Sequence, residues 1–156
     1  MSINQFILLD FLVFVSMVFM HIFDDFRQPD FLAKYKQKVN WQKDEIGKKE
    51  LYRNDYKACL FIHSLMWSIS IHIPIFAFLL KIFNDIGFQS LSNIYLIVLL
   101  AFMIMWITLN TFCHYFIDDL KANKYSINLV IDQSLHMVQI VVTFTSWTLL
   151  LYYIAC

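Results

Sequence analysis

Four long segments with few charged residues constrain the fold of this chain more than any other feature. They run from Phe6 to Phe23, Ala58 to Leu80, Leu91 to Ile117 and Leu129 to Ile154. Each is close to or longer than the roughly 18–20 apolar residues that a helix needs to cross a bilayer. Because the segments are long and lack the alternation of a membrane β-barrel, we expect helices rather than strands. The sequence therefore predicts an all-α integral membrane protein.

The distribution of basic residues predicts how the helices are oriented. We expect helices over about 6–24, 56–82, 91–119 and 127–154, in a single membrane domain spanning 1–156. Nine of the twelve Lys and Arg residues lie between the first two helices, two lie between the last two, and Lys81 remains near the other side. The positive-inside rule places both basic loops in the cytoplasm and both termini outside. We therefore expect an antiparallel four-helix bundle in the inner (cytoplasmic) membrane.

The connection between the first two helices, residues 26–55, combines basic and apolar residues. We expect a short amphipathic helix after Pro29, in which Phe31, Leu32, Tyr35 and Val39 share one face. Basic residues around such a face suit an anionic inner leaflet. The alternative is a solvated loop that only fixes topology. The expected partner is therefore the lipid bilayer and not nucleic acid, and a homo-oligomer is left open without a Gly-x-x-x-Gly face to support it.

Three of the apolar segments carry a histidine and an aspartate four residues apart, which places each pair on one helix face. The pairs are His21/Asp25, His114/Asp118 and, in reversed order, Asp132/His136, while the remaining segment carries His63. Ionisable groups are costly inside a membrane and usually face a protein interior or a functional cavity. With the predicted topology, these groups fall at one level near the cytoplasmic face. We expect them to form one polar cluster, with the aspartates nearest the cytoplasm.

The residue types in this cluster predict a divalent-metal site. Imidazole and carboxylate groups together suit zinc, our first choice, and also manganese or iron. The candidate ligands are His21, Asp25, His63, His114, Asp118, Asp132 and His136, and the candidate catalytic bases are Asp24 and Asp119. The set is large enough for two ions, an arrangement typical of phosphoester hydrolysis. Amides on the same helix stripes, at Asn110 and Gln139, are placed to orient the ligands.

The position of the aspartates also predicts a nearby cation. Asp24, Asp25, Asp118 and Asp119 lie at helix C-termini, where the helix dipole disfavours carboxylates. Either a metal ion or the Lys and Arg residues of the loop would offset this cost. A buried hydrogen-bond network between helices is the alternative to a metal site.

Several of these motifs resemble those of one family. The run from His21 to Lys34, His63-Ser-Leu, His114-Tyr-Phe-Ile-Asp-Asp and Asp132-Gln-Ser-Leu-His136 resemble small bacterial and phage membrane proteins, the family known as domain of unknown function 3307. The matches follow in order along nearly the whole chain. The resemblance implies a multi-helix membrane fold with the same polar positions, and it implies no activity. More distantly, the His-x-x-x-Asp pairs are similar in type to motifs of membrane proteins described as predicted metal-dependent hydrolases.

Three functions follow from these features. The first is a metal-dependent hydrolase of a lipid headgroup or another membrane phosphoester. The second is a non-enzymatic membrane protein in which the cluster is structural or binds an ion or a partner. The third is an ion or proton pathway through Asp10, His21 and His136.

Overall fold

The computed structural model describes residues 3–27, 30–86 and 93–155, and these ranges contain helices and no strand. In chain order the helices are α1 (Ile3–Arg27), α2 (Asp30–Tyr35), α3 (Lys38–Lys43), a 3-10 helix (Glu50–Tyr52), α4 (Tyr56–Ile86), α5 (Asn93–Ala122) and α6 (Leu129–Ala155). Pro29 and the predicted start of the third long helix at Leu91 lie outside the described residues.

Four of these helices are long and apolar enough to cross a membrane. α1, α4, α5 and α6 contain 25, 31, 30 and 27 residues. At about 1.5 Å per residue, each exceeds the roughly 30 Å hydrocarbon core of a bilayer. The prediction of an all-helical chain with four membrane-length helices is confirmed.

The surface of the long helices is apolar. Phe11, Ile97 and Leu149 are each more than half exposed, and many other large hydrophobic side chains are similarly uncovered. Exposed apolar area on this scale is unusual for a water-soluble monomer. It suits helices whose outer surface contacts lipid.

Contacts between the long helices define the two ends of the bundle. Near the start of α1, Phe6 packs on Phe78 of α4, with ring centroids 5.6 Å apart. Nearer the end of α1, His21 contacts Trp67, which precedes Phe78 on α4. We call the region around His21 and Trp67 the loop end, because Lys36 of the 30–55 segment and Lys121 beside the α5–α6 turn contact the buried residues there.

The half of the bundle away from the loop end has an apolar core. Ile75 and Ile82 of α4 and Trp147 and Leu151 of α6 are fully buried within it. The ring of Trp147 packs edge-on against Phe102 of α5, with centroids 4.9 Å apart. Burial of such side chains typically contributes about 1.5–3 kcal/mol each in water. Most of the buried histidine and aspartate side chains lie at the loop end instead.

The short amphipathic helix that the sequence predicted after Pro29 is interrupted before it reaches Val39. α2 ends at Tyr35 and α3 begins at Lys38, so Val39 lies on a different helix from Phe31. Gln37, the residue directly before α3, has extended backbone angles (φ −87°, ψ 119°). The physical reason is a tertiary contact, because the side chain of Asn123 on the α5–α6 turn binds the backbone on both sides of this break.

Side-chain contacts hold the rest of the segment together. The Tyr35 hydroxyl donates to the Asp44 carboxylate (3.0 Å), and this bond raises the pKa of Tyr35. The pKa of Asp44 is lowered, first by the backbone N–H of Ile46 and then by the Tyr35 hydroxyl. A Cβ at Gly47 would lie 2.1 Å from the Trp41 carbonyl oxygen, so this close approach requires glycine.

Candidate metal centre

The polar residues predicted from the sequence come together at the loop end. Six of the seven candidate ligands are at most 3% exposed, namely His21, His63, His114, Asp118, Asp132 and His136. The side chain of the seventh, Asp25, is 11% exposed. Histidine and aspartate are rarely buried to this extent unless each has partners, so their contacts decide what the cluster can do.

Asp118 is the centre of the cluster, and its two oxygens face different groups. Oδ2 accepts a hydrogen bond from the Lys36 ammonium group (2.6 Å) and lies 3.1 Å from His63 Nε2. The same oxygen is 3.6 Å from His114 Nε2. Oδ1 lies 3.4 Å from His136 Nε2. One carboxylate thus connects residues of α4, α5, α6 and the 30–55 segment.

The two oxygens of the Asp132 carboxylate differ in their hydrogen bonding. Its Oδ2 accepts hydrogen bonds from Lys121 (2.6 Å) and from the Gln133 side chain (3.0 Å). Its Oδ1 lies 3.5 Å from His136 Nε2. Among the described residues, neither Asp132 Oδ1 nor His136 Nε2 has a hydrogen-bond partner, although both atoms are buried. Unsatisfied buried polar atoms are costly and often indicate a ligand site.

The separations between these atoms match those around a metal ion. Two donors that each lie about 2.0–2.1 Å from a tetrahedral zinc ion are roughly 3.3–3.4 Å apart. His136 Nε2 is 3.4 Å from Asp118 Oδ1 and 3.5 Å from Asp132 Oδ1. Two groups of three residues have donor atoms within 4.8 Å of one another, namely His114, Asp118 and His136, and Asp25, His63 and His114. The cluster is therefore compact enough to hold a metal ion.

The hydrogen bonds of Gln139 assign the tautomer of His136. The Gln139 side-chain nitrogen lies 3.2 Å from the Asn110 carbonyl oxygen, to which it donates, so Gln139 Oε1 is an acceptor. This oxygen is 3.2 Å from His136 Nδ1, which therefore carries the proton. In a neutral ring, Nε2 is then left with its lone pair directed at Asp118 and Asp132. This is the tautomer that binds a metal.

His21 has both ring nitrogens engaged and differs from the other histidines. The indole N–H of Trp67 donates to His21 Nδ1 (2.9 Å), so the Nε2–H donates to Gln133 Oε1 (3.1 Å). The Gln133 nitrogen in turn donates to Asp25 Oδ2 (2.8 Å) and to Asp132 Oδ2. His21 thus orients two candidate ligands through Gln133, while its role as a ligand stays a prediction.

An aromatic stack closes one side of the cluster. Trp67 stacks on His114 with centroids 4.3 Å apart, and His114 stacks on His136 at 4.1 Å. The sequence reasoning missed Trp67. It lies four residues after His63 on α4, so the same helical spacing that identified the pairs could have found it.

Two lysines also belong to the cluster, where the helix C-terminal aspartates had predicted only an unspecified cation. Lys36 Nζ contacts both Asp118 and His63 (2.8 Å), and Lys121 Nζ contacts Asp132. Lys121 follows Asp118 by three residues on α5, a spacing that could have been noticed. Lys36 comes from the break between α2 and α3, and no periodicity connects it to its partners. The lysine side chains are 17% and 36% exposed, so they border the cluster on its solvent side.

The two candidate catalytic bases lie in different surroundings. The Asp119 carboxylate accepts a hydrogen bond from Asn123 (3.0 Å) and pairs with Lys124 (2.9 Å), both on the α5–α6 turn. Asp24 is buried near the end of α1, next to Asp25. A catalytic role stays a prediction for both residues.

The fold and the cluster together define a class: an all-helical chain with four membrane-length helices and buried His/Asp groups that could hold a metal. No family model matches this chain, and neither a curated protein nor a solved structure matches it. The resemblance to domain of unknown function 3307 therefore stays a prediction.

Proposed function

We propose that this chain is an integral membrane protein whose long helices form an antiparallel transmembrane bundle around a divalent-metal centre. The helix contacts support the antiparallel arrangement, because residues near the start of one helix contact residues near the end of the other. Asp10 of α1 contacts Thr148 of α6, whereas His21 contacts Gln133. On α5 and α6, Asn110 binds Thr143. The apolar outer surface supports insertion in lipid.

The metal would bind at what we call the first position, formed by His136 Nε2 and Asp118 Oδ1, with Asp132 Oδ1, which lies 3.5 Å from His136 Nε2, as the third candidate donor. One observation carries this proposal: Asp132 Oδ1 and His136 Nε2 are buried without hydrogen-bond partners, at metal-like distances. The other polar atom of each of the three side chains is held by Lys36, Lys121 or Gln139. Such outer contacts orient ligands and leave their inner atoms free.

One imidazole and two carboxylates suit zinc, and we keep zinc as the first choice with manganese or iron(II) as alternatives. The reaction that this position supports best is hydrolysis of a lipid headgroup or another membrane phosphoester. A bound divalent ion supplies a Lewis acid and lowers the pKa of a bound water. Lys36 and Lys121 border the position on its solvent side, where their charges favour the oxygens of a phosphate group. Asp24 and Asp119 remain the candidate bases.

We infer that the loop end faces the cytoplasm at the inner membrane, with both termini outside, because most of the basic residues of the chain lie there. Exposed apolar side chains of the 30–55 segment, such as Phe31, Ile46 and Leu51, stand among lysines. This combination supports contact with an anionic leaflet. A phosphorylated lipid headgroup would then approach from the same side as the lysines.

Metal analysis of the detergent-purified protein tests the proposal. We expect the wild type to retain about one divalent ion per chain and His136→Ala to lose it, because the variant removes the only imidazole of the first position. His72→Ala is the matched control. His72, on α4, is buried like His136, but it contacts the Ser68 carbonyl oxygen away from the cluster. Wild-type protein that is folded and holds no more metal than His136→Ala would contradict the proposal.

The hydrolytic part has its own test. Metal-loaded protein in vesicles of an anionic phospholipid should release a phosphate-containing product, and His136→Ala should not. If the protein binds metal but releases no such product from a panel of phosphoester lipids, the hydrolytic part of the proposal is contradicted and only metal binding remains.

A specific observation also favours a second candidate, a structural cluster without metal. Lys36 pairs with Asp118 and Lys121 pairs with Asp132, so each buried carboxylate already has a cationic partner. In that case Asp118→Asn combined with His136→Gln would lower the thermal stability without removing any metal. Breaking one member of a buried ion pair usually costs about 3–5 kcal/mol.

A further inference from the structure

We propose that the cluster contains a second metal position, and that the ammonium group of Lys36 competes with a divalent cation for it. The second position is formed by His63 Nε2, His114 Nε2 and Asp118 Oδ2, and Asp25 lies near the two histidines. The inference deepens the proposed metal function, because it assigns to Asp118 a place between two cation sites. It does not require the first position to be correct.

The atoms around Lys36 have the geometry of a cation site. Lys36 Nζ lies 2.6 Å from Asp118 Oδ2 and 2.8 Å from His63 Nε2. His63 Nε2, His114 Nε2 and Asp118 Oδ2 form a triangle with sides of 3.3, 3.6 and 3.1 Å. Donor atoms of Asp25, His63 and His114 also lie within 4.8 Å of one another. The three sides of the triangle are close to the roughly 3.3–3.4 Å expected between donors around one zinc ion.

The contact with Lys36 fixes the state of His63. An ammonium group has only donors, so His63 Nε2 must accept and its lone pair points at Lys36 Nζ. A metal ion requires the same lone pair in the same direction. Lys36 therefore keeps His63 in the form with an unprotonated Nε2, which is the form that a metal ion would bind.

A divalent ion and the ammonium group cannot share these atoms. Both would take Asp118 Oδ2 and His63 Nε2, and two cations a few ångströms apart in a buried site repel each other strongly. The Lys36 side chain can leave the site toward solvent, because it is 17% exposed and lies at the break between α2 and α3. It can turn toward solvent while both short helices keep their ends.

The two positions would share one carboxylate. Asp118 Oδ1 faces His136, and Asp118 Oδ2 faces His63 and His114. A bridging carboxylate holds two ions a few ångströms apart, which is the arrangement that clamps both sides of a phosphoryl group. On this view the ion that displaces Lys36 is the second member of such a pair.

The test is the metal content of Lys36→Met after equilibration with zinc and removal of excess ion. We expect one more ion per chain than in the wild type, since the competing charge is gone. Lys36→Arg, which keeps a cation, and Lys38→Met, which removes an exposed lysine of the same segment, should both match the wild type. One ion in both Lys36→Met and wild type would overturn the competition and leave the first position intact. An ion in Lys36→Met and none in wild type would support the competition and overturn the first position.

A second measurement uses the unaltered chain, because Lys36→Met leaves Asp118 without its ammonium partner and could unfold. Amine acetylation followed by mass spectrometry reports how accessible each lysine is. Acetylation of Lys36 relative to Lys38 should rise several-fold as zinc is added, because the displaced ammonium group enters solvent. An unchanged ratio at zinc concentrations that saturate the protein would contradict the inference.

Discussion

The amide of Gln139 determines which nitrogen of His136 is free to bind an ion. Its oxygen accepts the Nδ1–H, and its nitrogen is held by Asn110. We predict that Gln139→Leu lowers zinc affinity by about 10–100-fold although every proposed ligand remains, because His136 can then take the other tautomer or turn. Competition with a fluorescent zinc chelator measures the change.

The matched control for this prediction is Ser146→Ala. The Ser146 hydroxyl lies on the same helix and bonds only the carbonyl oxygen of Val142 among the contacts described. Its loss should leave zinc affinity as it is. Equal affinity in Gln139→Leu and wild type would mean that the tautomer is set by something other than the amide.

Trp67 contributes to the cluster through its indole N–H as well as its ring. We predict that Trp67→Phe lowers the stability by about 1–3 kcal/mol, because His21 Nδ1 is left buried without a donor while most of the stack is kept. Thermal unfolding in detergent checks this. Trp106→Phe is the control, since the Trp106 N–H has no hydrogen-bond partner among the described residues and its loss should cost less.

At the level of single residues, the sequence predicted the histidines and aspartates but not their partners. His114/Asp118 and Asp132/His136 were visible because helical periodicity relates residues four positions apart. Lys36 meets His63 and Asp118 across 27 and 82 positions of the chain. Contacts at such separations depend on how whole elements pack, which no local pattern encodes.

The break between α2 and α3 is held by one side chain of the α5–α6 turn. Asn123 Oδ1 accepts from the Lys38 backbone N–H (2.7 Å), and its nitrogen donates to the Lys36 carbonyl oxygen (3.2 Å). This pair of bonds explains why helix propensity failed to predict the boundary. The backbone groups that would continue the helix are satisfied by Asn123 instead.

We therefore predict that Asn123→Ala speeds hydrogen exchange of the Lys38 amide by roughly tenfold, the equivalent of about one net hydrogen bond. Exchange monitored by mass spectrometry over peptides covering 34–43 measures this. Asn54→Ala, an exposed position in the same connection, should leave those peptides unchanged. Equal protection in Asn123→Ala and wild type would show that the break does not depend on this contact.

On the scale of the whole molecule, four membrane-length helices were predictable because hydropathy adds up along each segment without knowledge of its neighbours. The shared level of the histidines and aspartates was also predictable, because the position of each residue along its segment can be counted from the sequence. The stack of Trp67, His114 and His136 did not, because it depends on which helices are adjacent.

Cysteine labelling tests the proposed orientation. In a background without the three native cysteines, Glu50→Cys at the loop end should react with a membrane-impermeant maleimide only after the cells are opened. Asn84→Cys, near the opposite end of α4, should react in intact cells, since both positions are exposed. The reverse pattern would invert the topology, and labelling of both in intact cells would argue against a transmembrane bundle.

The apolar half of the bundle closes the cluster on the side away from the lysines. Ile75, Ile82, Trp147 and Leu151 fill the interior between the cluster and the far end, so an ion that enters beside the lysines must leave by the same route. Its occupancy would then follow the free metal of one compartment alone. In the proposed orientation such an ion would cross little of the bilayer, so the transmembrane voltage would have little influence on its binding.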